Sequence, residues 1–191
     1  MEPKYDQSLR RAYLSRNLSE PTFDGLESHL TNGALERIVA EIMALGTMTV
    51  SLLPLDLPWS RSYALPVGLA TAPSWAQFNY GMSSSDQLDA IRVSGGGLPF
   101  WTIRLSRVYP AWTGTWNEFV RSRGRPLPKL RDTVPTGWES IVTNCTAILL
   151  RHGLQMLDER ELNRPVTWMT GSTLQSGAMH PLLYECLFLE Y

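Results

Sequence analysis

Two stretches of the chain repeat apolar residues at the spacing of a helix turn. Leu35, Ile38, Val39, Ile42 and Met43 fall at i, i+3, i+4, i+7 and i+8, with Glu36, Arg37 and Glu41 on the other side. That stripe predicts a helix near 33–45 burying one face, with Gly46 suited to the position just past its end. Trp138, Ile141, Val142, Cys145, Ile148, Leu149 and His152 extend the same rhythm over a second helix near 137–152. Thr136 and Glu139 have the spacing of a capping box at its start, and Gly153 supplies the stop. A shorter apolar set, Trp112, Trp116, Phe119 and Val120, predicts a third helix near 113–123 ended by Gly124.

Elsewhere the period shortens to two. In FWTIRLSRV, near 100–108, Trp101, Ile103 and Leu105 alternate with Thr102, Arg104 and Ser106, as in a half-buried strand. Further strands are expected near 47–53, 87–93 and 166–170, and SGGGLP between two of them suits a hairpin turn. LLYECLFLEY, near 182–191, is apolar at both alternating sets and predicts a central strand covered on both faces. Residues 57–85 hold three prolines and scattered aromatics, and are expected to form a long irregular connection with a short strand near Trp75–Tyr80. LDERELN, 157–163, reads as a short charged helix or a loop, and RPLPKLRDTVP as extended loop stiffened by proline. Helices and strands cluster rather than alternate strictly. The expected fold is α+β: a polar N-terminal arm over 1–25, then one domain over 26–191 with a mostly antiparallel sheet.

Composition narrows the functional classes. Hydrophobic residues make up 43% of the 191 positions, and seven tryptophans argue for a packed core rather than disorder. A formal net charge of −1 provides no global field to attract polyanions, so nucleic acid is not an expected partner. The start of the chain lacks the apolar core of a secretion signal, and no run is long enough to span a membrane. Two cysteines within apolar patterns fit buried free thiols, so a soluble cytoplasmic protein is expected.

Candidate chemistry is sparse. Cys145 and His152 share a helix face but lie seven residues apart, about 10 Å along the axis at 1.5 Å per residue, too far for a thiolate–imidazole pair. Cys186 has no polar neighbour that favours a thiolate. His29, His152 and His180 are isolated from one another, no H-x-x-x-H or C-x-x-C spacing occurs, and two cysteines so far apart are a poor basis for a zinc site, so no metal is expected. Asp158, Glu159 and Glu161 read as a solvated face. SGGGLP matches no phosphate-binding loop, and no cofactor is expected. Glu185 interrupts an apolar run and must find a partner if it is buried.

One stretch remains, WNEFVRSRGRPLPKLR, Trp116–Arg131, with five cations and one acid, Glu118. Arg121, Arg123, Arg125, Lys129 and Arg131 are the candidate partner-binding residues, since Arg and Trp dominate interface hot spots and prolines lower the ordering cost of a recognition loop. The sequence therefore points to a non-catalytic protein that binds another protein, such as a small bacterial accessory, inhibitor or immunity-type protein. Two other readings stand beside it. One is a hydrolase-like enzyme whose site the fold assembles from Glu185, His180, His152 or Ser/Thr residues without local motifs; the other is a subunit of a homo-oligomer.

Overall fold

The computed structural model describes residues 4–18, 22, 29–30, 33–45, 48–50, 61–69, 84–171 and 179–188. The elements in order are α1 (Asp6–Ala12), α2 (Ala34–Met43), β1 (Met48–Val50), β2 (Ser62–Leu69), α3 (Ser84–Val93), β3 (Gly97–Ser106), β4 (Ala111–Ser122), β5 (Arg125–Arg131), α4 (Glu139–Arg151), β6 (Gln155–Met156), α5 (Glu159–Leu162) and α6 (Leu183–Phe188). The fold is α+β. Strands β1 to β5 form one antiparallel sheet in sequence order, and short β6 joins β4 in parallel.

Alternation along the strands sorts the core into faces. Leu65 and Val67 of β2, Trp101, Ile103 and Leu105 of β3, and Trp112 of β4 share one face. It is covered by Leu35, Ile38 and Ile42 of α2 and by Ile141, Cys145, Ile148 and Leu149 of α4, so both stripes legible in the sequence meet the same side of the sheet. Burying each of these aliphatic side chains stabilises by roughly 1.5–3 kcal/mol. Four tryptophans run across this face. Trp116 stacks on Trp101 at 5.4 Å, and Trp112 and Trp138 meet that pair edge-on. Gly114, opposite Ile103, makes the arrangement fit, because a Cβ there would overlap the Trp101 indole.

On the opposite face Ala90 and Ile91 of α3 cover Leu98 and Phe100, and Phe119 stacks on Phe100 at 4.7 Å. A third cluster joins the two ends of the described chain. Leu9, Ala12 and Tyr13, from α1 and the residue after it, pack with Val108, Ala111, Met169 and the α6 residues Leu183, Cys186, Leu187 and Phe188.

Several sequence expectations are corrected. Residues 87–93 are not a strand but belong to α3, with Asp86 in its first turn, where a carboxylate suits the helix dipole. Ser94, Gly95 and Gly96 end that helix rather than forming a hairpin turn, and Gly97 begins β3: Gly96 N–H reaches the Ile91 carbonyl, Gly95 N–H reaches that of Arg92, and both of these glycines have positive φ. Residues 113–123 are not a helix but most of β4 and its turn. Trp112 and Trp116, at i and i+4, satisfy either period, and the β-branched and aromatic neighbours decide for the strand. RPLPKLR is β5 rather than loop.

Residues 166–170 form no strand; Thr170 makes only an isolated bridge to Asn17. The expected strand at 182–191 is α6 as far as it is described, because a run apolar at every position fits a buried helix as well as a buried strand. Glu185 explains its start: its carboxylate accepts the Leu182 N–H at 2.6 Å, the reach-back of a capping glutamate. The capping box expected at Thr136 is absent, as α4 begins after Trp138 with no side-chain cap. A full capping box instead starts α5, between Asp158 and Glu161, which resolves 157–163 as a short helix. The connection expected over 57–85 contains β2, while the strand expected at Trp75–Tyr80 and the stop at Gly46 lie outside the described residues. Among the described residues, no helix is long and apolar enough to cross a membrane.

Candidate functional site

Strands β4 and β5 meet through Arg123 and Gly124 alone, with Ser122 opposite Arg125. Arg123 has φ 47° and Gly124 φ 76°, the two left-handed residues of a type I′ turn, whose twist matches that of the strands it joins. Asparagine commonly fills the first of these positions; here an arginine is held at the tip of the hairpin.

The register then distributes the five candidate cations. Arg125, Lys129 and Arg131 alternate along β5 and share one face with Leu127; opposite them on β4 stand Ser122, Val120, Glu118 and Trp116. This is the tryptophan face of the sheet, continued past the point where α4 covers it. Arg121 lies on the other face with Pro126, Pro128 and Leu130, and Arg123 is in the turn. The structure thus brings three of the five onto one surface, sets one at its tip and turns one away.

Their electrostatic situations also differ. Arg131 Nη1 donates to Glu118 Oε2 at 2.5 Å, in a pair whose side chains are 28% and 19% exposed, while its buried Nε has no acceptor. Gly97 leaves room for that carboxylate, since a Cβ there would lie 2.6 Å from Glu118 Oε2. Arg121, Arg123, Arg125 and Lys129 are exposed, and among the described residues their side chains have no hydrogen-bond or ion-pair partner. Leu127 and Leu130 are exposed beside them, by 48% and 62%. A concavity of about 460 Å³ at the tip is lined by Ser122, Arg123, Arg125, Pro126 and Leu127.

Among the described residues β5 pairs only with β4, which makes it an edge strand. Ser122 and Arg125 close the two-residue turn. The odd-numbered residues of β5 therefore direct their backbone groups toward β4, and 126, 128 and 130 direct theirs outward. Two of those three outward positions are prolines without an N–H, so the edge is a poor template for another strand.

The residues weighed for catalysis are placed within the fold's own bonding. His152 Nε2 lies 2.8 Å from Glu41 Oε1, and Arg151 donates to the other oxygen at 2.6 Å. Hydrogen bonds from His152 and then Arg151 hold the Glu41 carboxyl below its ordinary pKa. His29 Nε2 is 2.8 Å from the Ser106 carbonyl and His180 Nδ1 is 3.0 Å from that of Met169. Burial pushes the Cys145 thiol up to about 12. Burial also raises Cys186, with Arg61 opposing and Glu185 adding to the shift, and its Sγ sits 3.8 Å from Met169 Sδ. Neither thiol is poised as a nucleophile at neutral pH.

Two cavities flank Trp168, of about 200 and 220 Å³, and neither is lined by His152, His180, Glu185 or either cysteine. The first holds Tyr5, Asp6 and Arg164, with Asp6 already accepting the Trp168 indole N–H at 3.2 Å. Among the described residues no group of three or more His, Cys, Asp or Glu is placed to hold a metal ion.

Sequence reasoning passed over Arg61. This side chain is fully buried; its Nε donates to the Tyr13 hydroxyl at 2.7 Å and its Nη2 to the Leu18 carbonyl at 2.5 Å. Tyr13 in turn donates to the Cys186 carbonyl at 2.7 Å, and Ser62 Oγ to that of Phe188 at 3.1 Å. The sequence shows only an arginine directly before the apolar run SYALPVGL, with nothing local to mark its distant acceptors. No protein-family model, curated protein or solved structure matches the chain.

Proposed function

We propose that this chain is a non-catalytic protein-binding protein that acts by surface complementarity, in the manner of an accessory, inhibitor or immunity-type protein, with the β4–β5 hairpin as its contact surface. One observation carries the reading. Among the described residues, Arg121, Arg123, Arg125 and Lys129 stand exposed without side-chain partners, on a hairpin whose turn and strand register fix where they point. Unpaired cations interleaved with exposed leucines contribute nothing to folding that Ser or Gln would not, yet Arg beside apolar surface is typical of interface hot spots. A pinned two-residue turn and two prolines also reduce the ordering cost of binding.

The test is capture by the immobilised full chain, compared with R121E/R123E/R125E/K129E. The expected result is loss of the captured partner with an unchanged near-UV circular dichroism spectrum. Equal capture of the same partner by both proteins removes the hairpin from this role.

A further inference from the structure

We infer that the partner presents an acidic amphipathic helix to the Arg125–Leu127–Lys129 face, rather than a strand to the β5 edge. The inference rests on the hairpin being the contact surface and adds the chemistry of what it contacts. The first argument is charge. That face of the hairpin carries Arg125, Lys129 and Arg131 against one acid, Glu118, and Glu118 is taken by Arg131. Two cations remain to be matched by carboxylates from outside, with an exposed leucine midway between them.

The second argument is backbone hydrogen bonding. An extended segment must place its own N–H and C=O groups, and on this hairpin the outer edge lacks donors at Pro126 and Pro128. A helix satisfies its backbone internally and can lie on the face using side chains alone.

The third argument is spacing. Arg125 and Lys129, four residues apart on a strand, are separated by about 13 Å. On a helix that distance is roughly nine residues, so acids at i and i+7 or i+8, about 10.5–12 Å apart and within side-chain reach of both cations, with an apolar residue at i+3 or i+4, fall on one face opposite Arg125, Lys129 and Leu127.

A single-stranded nucleic acid would use aromatic faces for its bases. The hairpin residue on this surface with a ring, Trp116, is packed against Trp101 and Trp138, and Phe119 is stacked on Phe100 on the far side.

The test uses the full chain and a synthetic fluorescent helical peptide with the acid–apolar–acid pattern, read by anisotropy. R125E/K129E is expected to weaken peptide binding about tenfold or more, because attraction becomes repulsion at both ends. L127A is expected to weaken it several-fold. P126A/P128A, which restores two outward N–H groups, is expected to leave it unchanged, and a proline-interrupted peptide of the same composition is expected not to bind. The inference is overturned if R125E/K129E binds the peptide as well as the parent does. It is equally overturned if the proline-interrupted peptide binds as well as the helical one, or if a thymidine oligonucleotide of equal charge binds more tightly. A partner captured in a hairpin-dependent way that does not compete with the peptide overturns the helix while leaving the hairpin as the contact surface. The absence of any hairpin-dependent partner overturns both.

Discussion

Arg61, just before β2, has no exposed surface and donates to two acceptors drawn from the N-terminal segment, whereas Arg125, at the start of β5, is exposed and meets no described partner. Both are single arginines bordering a strand. They differ in what the chain brings around them: at Arg61 a hydroxyl and a carbonyl set within an apolar cluster, at Arg125 open sheet face beyond the last tryptophan. A buried guanidinium must be bonded or it destabilises the fold, so its partners reveal a structural role. An exposed one is tolerated without partners, and when several accumulate on one rigid element the fold offers no reason for them. The comparison separates the cations that the fold uses from those it displays.

The sharpest way to break the comparison is Arg61→Met, which keeps the aliphatic stem and removes the donors. It takes a donor from the Leu18 carbonyl and from the Tyr13 hydroxyl and is expected to cost about 2–4 kcal/mol by urea denaturation. A loss below about 1 kcal/mol would place Arg61 with the surface cations.

Arg131 is intermediate, half-buried and paired. Glu118→Gln strands its guanidinium, whose Nε already lacks an acceptor, and should cost about 1–2 kcal/mol in the same assay. Arg123→Asn sharpens the other side of the comparison. Asparagine tolerates the left-handed conformation better, so the variant should gain about 0.5 kcal/mol while losing a displayed charge.

Glu41 tests an exposed but partnered pair. Its folded pKa lies below its ordinary value of 4.5, so its contribution is present above that pH and is lost as pH falls through the folded value. Glu41→Gln should flatten this part of the acid limb of the stability–pH curve, and an unchanged slope would show the bonds to His152 and Arg151 to be without consequence. The smallest effect is expected for R125E/K129E, within about 0.5 kcal/mol of the parent in thermal unfolding.

How far the sequence revealed these things followed physical lines. Helices α2 and α4 were legible because each has one wet face and one buried face, so periodicity reports them. β4 was misread because tryptophans four apart fit either period, and α6 because a segment buried all round has no period to show. The cations at 121–131 were legible as composition. That Arg125, Leu127, Lys129 and Arg131 share a face emerged only once RPLPKLR proved to be a strand. Arg61 was not legible: its acceptors at Tyr13 and Leu18 lie 48 and 43 positions away, and no local pattern encodes them.

The bond from Tyr13 to the Cys186 carbonyl spans 173 positions, and it has a consequence for the order of assembly. During synthesis strands β2 to β5 can pair in sequence order, each with the strand made before it. Helix α1 cannot dock in the same way, because the surface it packs on includes α6, whose Cys186 lies 173 positions beyond Tyr13. Leu9, Ala12 and Tyr13 therefore wait for that part of their cover until α6 has been made. Helix α1 is made before the sheet and completes its packing after it, and in that interval its apolar face is open to a chaperone.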